Sequence, residues 1–245
     1  MSALTARALP GLGELRPGDD LAAALAAAAG GDLGPGDVLV VAHKVVSKVE
    51  GAVVALADVV VGPRALALAA EHGKDPRQVQ VVLDQSAEVM RAERGVLICR
   101  THHGLVCANA GVDASNAAPG TVICLPADPD ASARALRAAL PGRPAVVIAD
   151  SFGRAWRHGQ ADVAIGIAGL APLDDWRGRA DSTGRALHAT WIAIADQAAA
   201  AADLVRDKVS REPAVLVRGL DRFVTEHDGP GAGALIRGRD EDLFP

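Results

Sequence analysis

Apolar residues in this chain come in short runs, and polar residues cluster between them. Residues 145–149, Ala-Val-Val-Ile-Ala, form the clearest run. An uninterrupted apolar run of that length predicts a strand buried on both faces. The same pattern predicts strands at 38–42, 79–83, 95–99, 104–108, 121–125 and 214–217. The pair at 95–99 and 104–108 flanks residues 100–103 in a hairpin pattern. Alanine-rich stretches predict helices at 21–29, 131–140 and 196–205, and a further helix at 64–72 has Pro63 at its start. Asp19 or Asp20 caps the first helix and Gly30-Gly31 stops it, while Pro129-Asp130 opens the second.

Three polar segments follow apolar strands directly, at 43–48, 109–116 and 150–160, and each reads as a loop. Residues 163–169 resume an apolar, glycine-spaced segment, and 189–195 is again apolar. Residues 173–183 are charged and turn-rich, and the tail from 229 to 245 is a glycine-rich loop with a charged end. Several strands are neighbours with no helix between them. The expected class is therefore α+β, with mixed or antiparallel sheets and flanking helices rather than a Rossmann sheet. No repeat, low-complexity linker or boundary divides the chain, so residues 1–245 read as one domain.

Composition narrows the partners. The chain has 245 residues, half of them apolar and only 2% aromatic, so aliphatic side chains must build the core. The formal net charge is −5 and no block of Lys or Arg stands out, which argues against nucleic acid as a partner. Cys99, Cys107 and Cys124 are odd in number and lack CxxC spacing. They read as core thiols in a reducing compartment. The first 20 residues hold no apolar run long enough for a signal peptide, and later runs are shorter than a membrane span. A cytoplasmic protein with no membrane partner is expected.

The polar clusters hold the candidate chemistry. Asp113 and the Asp150-Ser151 pair could converge on one divalent cation, since hard cations take carboxylate and hydroxyl oxygens. The same residues serve equally as turn and element caps. Lys44 and Lys48 lie four apart, and Lys48 could reach a phosphate or lie solvated at the surface. Arg154 and Arg157 could clamp an anion or make surface ion pairs, and Trp156 could stack on a planar ligand or pack structurally. His102 and His103 are adjacent and best suit a turn. There is no GxGxxG, P-loop or GxSxG motif. Residue chemistry alone reaches an α+β protein equipped to bind metal and phosphate.

Longer motifs go further. HKVVSKVEG, AGVDASN, IADSFGRAWRHGQADVAIGIAGL, WRGRADSTGR and the terminal LIRGRDEDLF, taken in this order, resemble the coenzyme F420-0:gamma-glutamyl ligase family, in its single-domain form. The resemblance runs from LPGLGEL to DLF. It implies an intertwined, two-lobed α+β homodimer. The implied reaction is GTP-dependent addition of L-glutamate to coenzyme F420-0, then of further glutamates through γ-linkages, by way of an acyl phosphate. It also implies Mg²⁺ or Mn²⁺ at two sites, and K⁺.

Carried over by motif, Asp113 and Asp150 match the ligands of one metal. Ser151, where the family usually has Thr, matches a ligand of the second. Leu12, Gly13, Glu14 and Leu15 match a nucleotide-contacting segment, Lys48 a nucleotide-contacting lysine, and Asn116 a polar contact beside it. His43 falls where the family places another polar nucleotide contact. Lys208 stands where a metal-binding Gln is usual, with Asp207 as a possible substitute. A GTP-binding regulatory homologue without ligase activity is the alternative expectation.

Overall fold

The structure is a computed structural model that describes residues 3–206 and 209–242. Asp207 and Lys208, and Leu243 and Phe244 of the tail motif, lie outside the described residues. A five-stranded mixed sheet forms the centre, in the order β1 (Thr5–Ala8), β12 (Ala214–Arg218), β2 (Val38–Ala42), β8 (Ala145–Arg154), β9 (Arg157–Ala168). Only β2 and β8 run parallel; the other pairs are antiparallel. This bears out the α+β expectation.

Side chains alternate across the sheet as the period of two demands. Leu39, Val41, Val146, Ile148 and Leu216 pack on one face against α1 (Leu21–Ala29), α2 (His43–Val49) and α5 (Pro129–Ala139). Val38, Val40, Val147, Val215 and Val217 pack on the other against the alanine face of α6 (Ile194–Asp203). A run buried on both faces can afford no polar residue, which is why 38–42 and 145–149 were so legible.

The segment between β2 and β8 leaves the sheet and builds a second lobe around its own core. It contains β3 (Val53–Ala55), α3 (Pro63–His72), α4 (Pro76–Asp84), β4 (Ser86–Glu93), β5 (Val96–Thr101), β6 (Val106–Ala108) and β7 (Thr121–Ile123). Strand β3 pairs with β7, and β4, β5 and β6 form an antiparallel sheet. The second core joins Ala65, Ala69, Val79, Val82, Leu97, Cys99, Val122 and Cys124. After β9, β10 (Leu173–Asp175) and β11 (Trp191–Ala193) make a small antiparallel pair that leads into α6.

Three sequence expectations are corrected. Residues 79–83 are helical, not a strand, because Asp75 caps the chain through Arg77 N–H and Pro76 occupies the first turn. Residues 43–48 are the helix α2, not a loop. It starts straight from β2 with no side-chain cap, and buries His43, Val46 and Ser47 at i, i+3 and i+4. Residues 150–160 are not a loop either. They are the outer part of the β8–β9 ribbon, which turns through Ala155 and Trp156 between the paired Arg154 and Arg157. Among the described residues, no helix is long and apolar enough to cross a membrane.

Candidate functional site

The candidate residues meet where β2 stops. Strand β2 pairs with β8 as far as Ala42 opposite Ala149. From Asp150 onward β8 has β9 on one side only, so its polar residues emerge at the end of the sheet. The chain leaving β2 coils at once into α2. That places the first turn of α2 beside Asp150.

Helix α2 ties together the segments that carry the candidate residues. His43, 2% exposed, brings Nε2 to 3.3 Å from Asp150 Oδ1. Its Nδ1 lies 3.3 Å from Ser47 Oγ, one turn on. Lys44 Nζ donates to Asp113 Oδ2 at 2.6 Å and to Ser115 Oγ at 2.5 Å. Lys48 Nζ donates to Glu14 Oε1 at 2.5 Å. The four-residue spacing of Lys44 and Lys48 puts both on one face of the helix.

Asp113 sits in a constrained loop. Its backbone bridges Ile123 in both directions, at 3.0 and 2.8 Å. Just before it, Asn109, Ala110 and Gly111 all have positive φ, a conformation that costs non-glycine residues energy and persists only where the surroundings impose it. A side chain at Gly111 would collide with Leu125. Burial would raise the Asp113 pKa, but hydrogen bonds from Lys44 and Ser115 outweigh it and hold the carboxyl below the ordinary range. Asn116 follows in the same loop, exposed and with φ of 57°.

Asp150 and Ser151 are adjacent on a strand, so their side chains face opposite sides of the ribbon. Asp150 faces His43, and Ser151 lies in register with Asp162 on β9. Ser151 Oγ donates to Asp162 Oδ1 at 2.6 Å, and Ser151 N–H donates to Asp150 Oδ1 at 2.8 Å. Asp162 is 1% exposed and its other oxygen accepts from Arg206. Burial lowers the Arg206 pKa, against the opposing pull of Asp150. Asp162 and Arg206 did not emerge from the sequence. No local signal flags Asp162, since its neighbours Ala161 and Val163 are only half-buried and Gln160 is exposed.

A β-bulge shapes this row. Ile148 pairs with Gly166 and Ala149 with Ala164, so Ile165 is the extra residue. Asp196 Oδ1 accepts from Ala164 N–H at 2.9 Å. Bulges re-aim side chains beside functional sites, and this one sets the facing of Val163 and Asp162.

In the segment 12–15 the side chains of Leu12 and Leu15 are buried in the core. Only the backbone of Gly13, with φ of 68°, and the Glu14 side chain turn outward. Arg154, Trp156 and Arg157 lie at the exposed ribbon tip, with Arg154 donating to His158 O. His102 and His103 form the β5–β6 turn and bond the backbone carbonyls of Asp84, and of Pro126 and Ala127. All three cysteines are reduced and buried. A cavity of about 310 Å³, lined by His103, Leu105, Asp130, Ile165 and Ile236 among others, includes neither Asp113 nor Asp150.

Among the described residues, no three His, Cys, Asp or Glu side chains converge to hold a metal. Asp113 and Asp150 offer hard oxygens to neighbouring residues of one helical turn, Lys44 and His43, while Ser151 faces the other side of the ribbon. Two features fit a cation there. The Lys44 ammonium already occupies one such position on Asp113. His43 Nε2, buried and 3.3 Å from Asp150 Oδ1, makes no well-aligned hydrogen bond among the described residues. A sparse oxygen set leaves coordination positions to phosphate and water, as Mg²⁺ and Mn²⁺ require.

The family model for F420-0:Gamma-glutamyl ligase matches residues 11–219. The chain is 45% identical over 237 residues to the Coenzyme F420:L-glutamate ligase of Methanopyrus kandleri, covering 94% of this chain and 93% of that protein. It is 42% identical over 235 residues to the protein of the same name from Methanothermobacter thermautotrophicus, covering 93% of each. To that of Halobacterium salinarum it is 41% identical over 243 residues, covering 96% of this chain and 93% of that protein. The match spans both lobes and every segment that α2 ties together, and the chain therefore belongs to the F420-0:Gamma-glutamyl ligase family.

Proposed function

We propose that this protein is a cytoplasmic, GTP-dependent ligase in coenzyme F420 biosynthesis. It joins L-glutamate to coenzyme F420-0 and then adds glutamates through γ-carboxyl linkages. The observation that carries this reading is α2. One short helix links Asp150, Asp113 and Glu14, bringing cations to carboxylates where a nucleotide's phosphates need both a metal and positive charge. The relatives bearing the ligase name cover nearly the whole chain.

The terminal phosphoryl of GTP passes to the acceptor carboxylate, breaking the bond to GDP and forming an acyl phosphate. The amine of L-glutamate attacks the carbonyl carbon, the carbon–oxygen bond to phosphate breaks, and the amine proton goes to solvent. Such transfer needs alignment and charge neutralisation more than a protein nucleophile. That agrees with the absence of a nucleophile motif.

Asp113 and Asp150 hold one Mg²⁺ or Mn²⁺, Ser151 contributes to a second, and K⁺ assists. A bound divalent ion supplies electrostatic stabilisation of the transferring phosphoryl group. Lys48 and the backbone of Leu12, Gly13, Glu14 and Leu15 contact the nucleotide, with Asn116 and His43 beside it. Lys48 exchanges Glu14 for phosphate when GTP binds. The working unit is an intertwined homodimer.

Acceptor labelled with ¹⁸O in its carboxylate tests the acyl phosphate. The expected result is one labelled oxygen in the released phosphate. Unlabelled phosphate beside glutamylated product would refute the activation step. GTP binding with no product would instead favour a regulatory homologue.

A further inference from the structure

The cavity of about 310 Å³ lined by His103, Asp130 and Ile165 has no part in the chemistry proposed above. From its lining and its place on the Asp150 side of the sheet we infer that it seats the flat deazaflavin ring of the acceptor, coenzyme F420-0, whose phospholactyl arm then reaches Asp150. The inference rests on the proposed acceptor and adds where its ring binds.

Separate segments wall the cavity. Leu105 comes from the β5–β6 turn, Pro129 from the start of α5, Ile165 from β9, and Ala232 and Ile236 from the segment after β12. The volume lies within the range of small-molecule sites, about 300–1,000 Å³, which are mostly apolar with a few polar groups. Here the polar groups are His103, Asp128 and Asp130, and among the described residues no Lys or Arg lines the cavity. The triphosphate of GTP and the two carboxylates of free L-glutamate would meet repulsion there. A flat heteroaromatic ring with an N–H at its edge meets apolar walls and carboxylate acceptors instead. Asp130 Oδ1 accepts from Ile167 N–H and Ala232 N–H, both at 2.8 Å, which fixes the side chain. No hydrogen bond among the described residues reaches Oδ2, so half of this carboxylate keeps its acceptor capacity unused.

The reaction has two flat rings to place, guanine and the deazaflavin. The proposed nucleotide contacts at residues 12–15, Lys48 and Asn116 do not line the cavity, which leaves it to the acceptor. Its position suits that role. Ile165 packs with Ile148 on the α2 face of the sheet, and Asp150 shares that face by the strand's alternation. Val163, two residues from Ile165, is the register partner of Asp150. Two strand residues advance about 7 Å, and the ribityl and phospholactyl arm of the acceptor is longer than that.

Gly233 supplies the test. It lines the cavity with a backbone outside the left-handed region, and a Cβ there would meet no atom within 4 Å. Gly233→Leu therefore takes up space without backbone strain, and Gly233→Ala controls for the loss of glycine. Asp130→Asn keeps an oxygen for Ile167 and Ala232 but replaces the second acceptor with an amide donor. Binding of F420-0 and, separately, of GTP to the purified full chain is read by equilibrium dialysis, without turnover. The expected result is F420-0 binding about 10-fold weaker in Gly233→Leu and in Asp130→Asn, within about 2-fold of wild type in Gly233→Ala, and unchanged GTP binding in all three. Normal F420-0 binding by Gly233→Leu or by Asp130→Asn, in a wild-type chain that binds it, overturns this inference alone. An equal loss of GTP binding also overturns it and gives the cavity to guanine. A wild-type chain that binds no F420-0 refutes the proposed acceptor, and the inference falls with it.

Discussion

Asp150 stands between neighbours of opposite character, a buried imidazole on one side of the ribbon and, one residue on, a serine turned to the other. If its carboxylate holds the metal, Asp150→Asn removes a ligand charge at nearly constant volume. Turnover should fall on the order of 10²-fold or more, with an unchanged melting temperature. A normal rate in a normally folded variant would sink the metal assignment. Lys44 gives the converse prediction, because its ammonium competes for Asp113. Lys44→Met should tighten Mn²⁺ binding by about 3–10-fold in the absence of nucleotide, a modest effect because the pair is partly solvent-screened. Unchanged affinity would mean that Asp113 is not a ligand.

Asp113 also makes a pH prediction. Its folded pKa lies below the ordinary value, because hydrogen bonds from Lys44 and Ser115 exceed the effect of burial. The unfolded chain therefore binds the proton more readily. The stabilisation is complete above the unfolded value of about 4 and is lost as pH falls through the lower folded one. With the side chain 43% exposed, the contribution is under about 1 kcal/mol. Asp113→Asn should flatten the acid limb of stability, measured as urea midpoints below about pH 4. An identical acid limb would contradict the pairing. At this scale Asp113, Asp150 and Ser151 were legible as polar residues punctuating apolar strands. Asp162 and Arg206 were not, because a partnership between β9 and the segment after α6 exists only after folding.

At the level of elements, the legible pieces were those whose boundaries carry local chemistry. Helix α1 runs from the Asp20 cap to a left-handed Gly30, and the β5–β6 hairpin surrounds its polar turn. The pieces that differ from the sequence expectation lack such marks or carry them outside the run itself. Helix α2 has no capping side chain, and its short i, i+3, i+4 pattern resembles a loop that continues a strand. In α4 the run VQVVL imitates a strand, whereas the deciding signal is Asp75-Pro76 upstream. Asp75→Ala should therefore cost about 1 kcal/mol in chemical denaturation. No loss would mean that the cap is dispensable. The outer β8–β9 ribbon looked like a loop because polar side chains fill both its faces once it passes the sheet edge.

The buried thiols make an elemental prediction too. Burial, with the charge of Asp150 adding to it, pushes Cys107 up to about 12, and burial pushes Cys124 up to about 11. At pH 8 only about one molecule in a thousand or fewer carries either thiolate. Native protein should then leave Cys107 and Cys124 unmodified by a disulfide reagent, and both should react once guanidinium unfolds it. Rapid modification of either in the native state would show that the second lobe opens far more readily than its packing implies.

For the whole molecule, two lobes and three hydrophobic clusters are bridged by α2 and by the return of the chain from β7 through α5 to β8. The class was readable from neighbouring strands without intervening helices, but the insertion of one lobe between two parallel neighbours was not. Nothing local records that residues 42 and 149 end side by side. The ribbon beyond that point has little sheet to support it, and two-stranded ribbons alone are marginal in water. Its tip exposes 80% of Trp156, in keeping with the proposed homodimer. Sedimentation should give twice the chain mass of 25.0 kDa, and a monomer at working concentration would refute the dimer.

The central claim is that the carboxylates and cations gathered by α2 serve GTP-driven glutamylation. The most direct measurement is mass spectrometry of coenzyme F420-0 incubated with the protein, L-glutamate, Mn²⁺ and GTP, with GDP quantified alongside. The expected result is acceptor carrying one or more glutamyl residues, one GDP for each glutamate added, and no product without GTP. Acceptor recovered unchanged by folded protein, or glutamylated without GTP consumption, would contradict it.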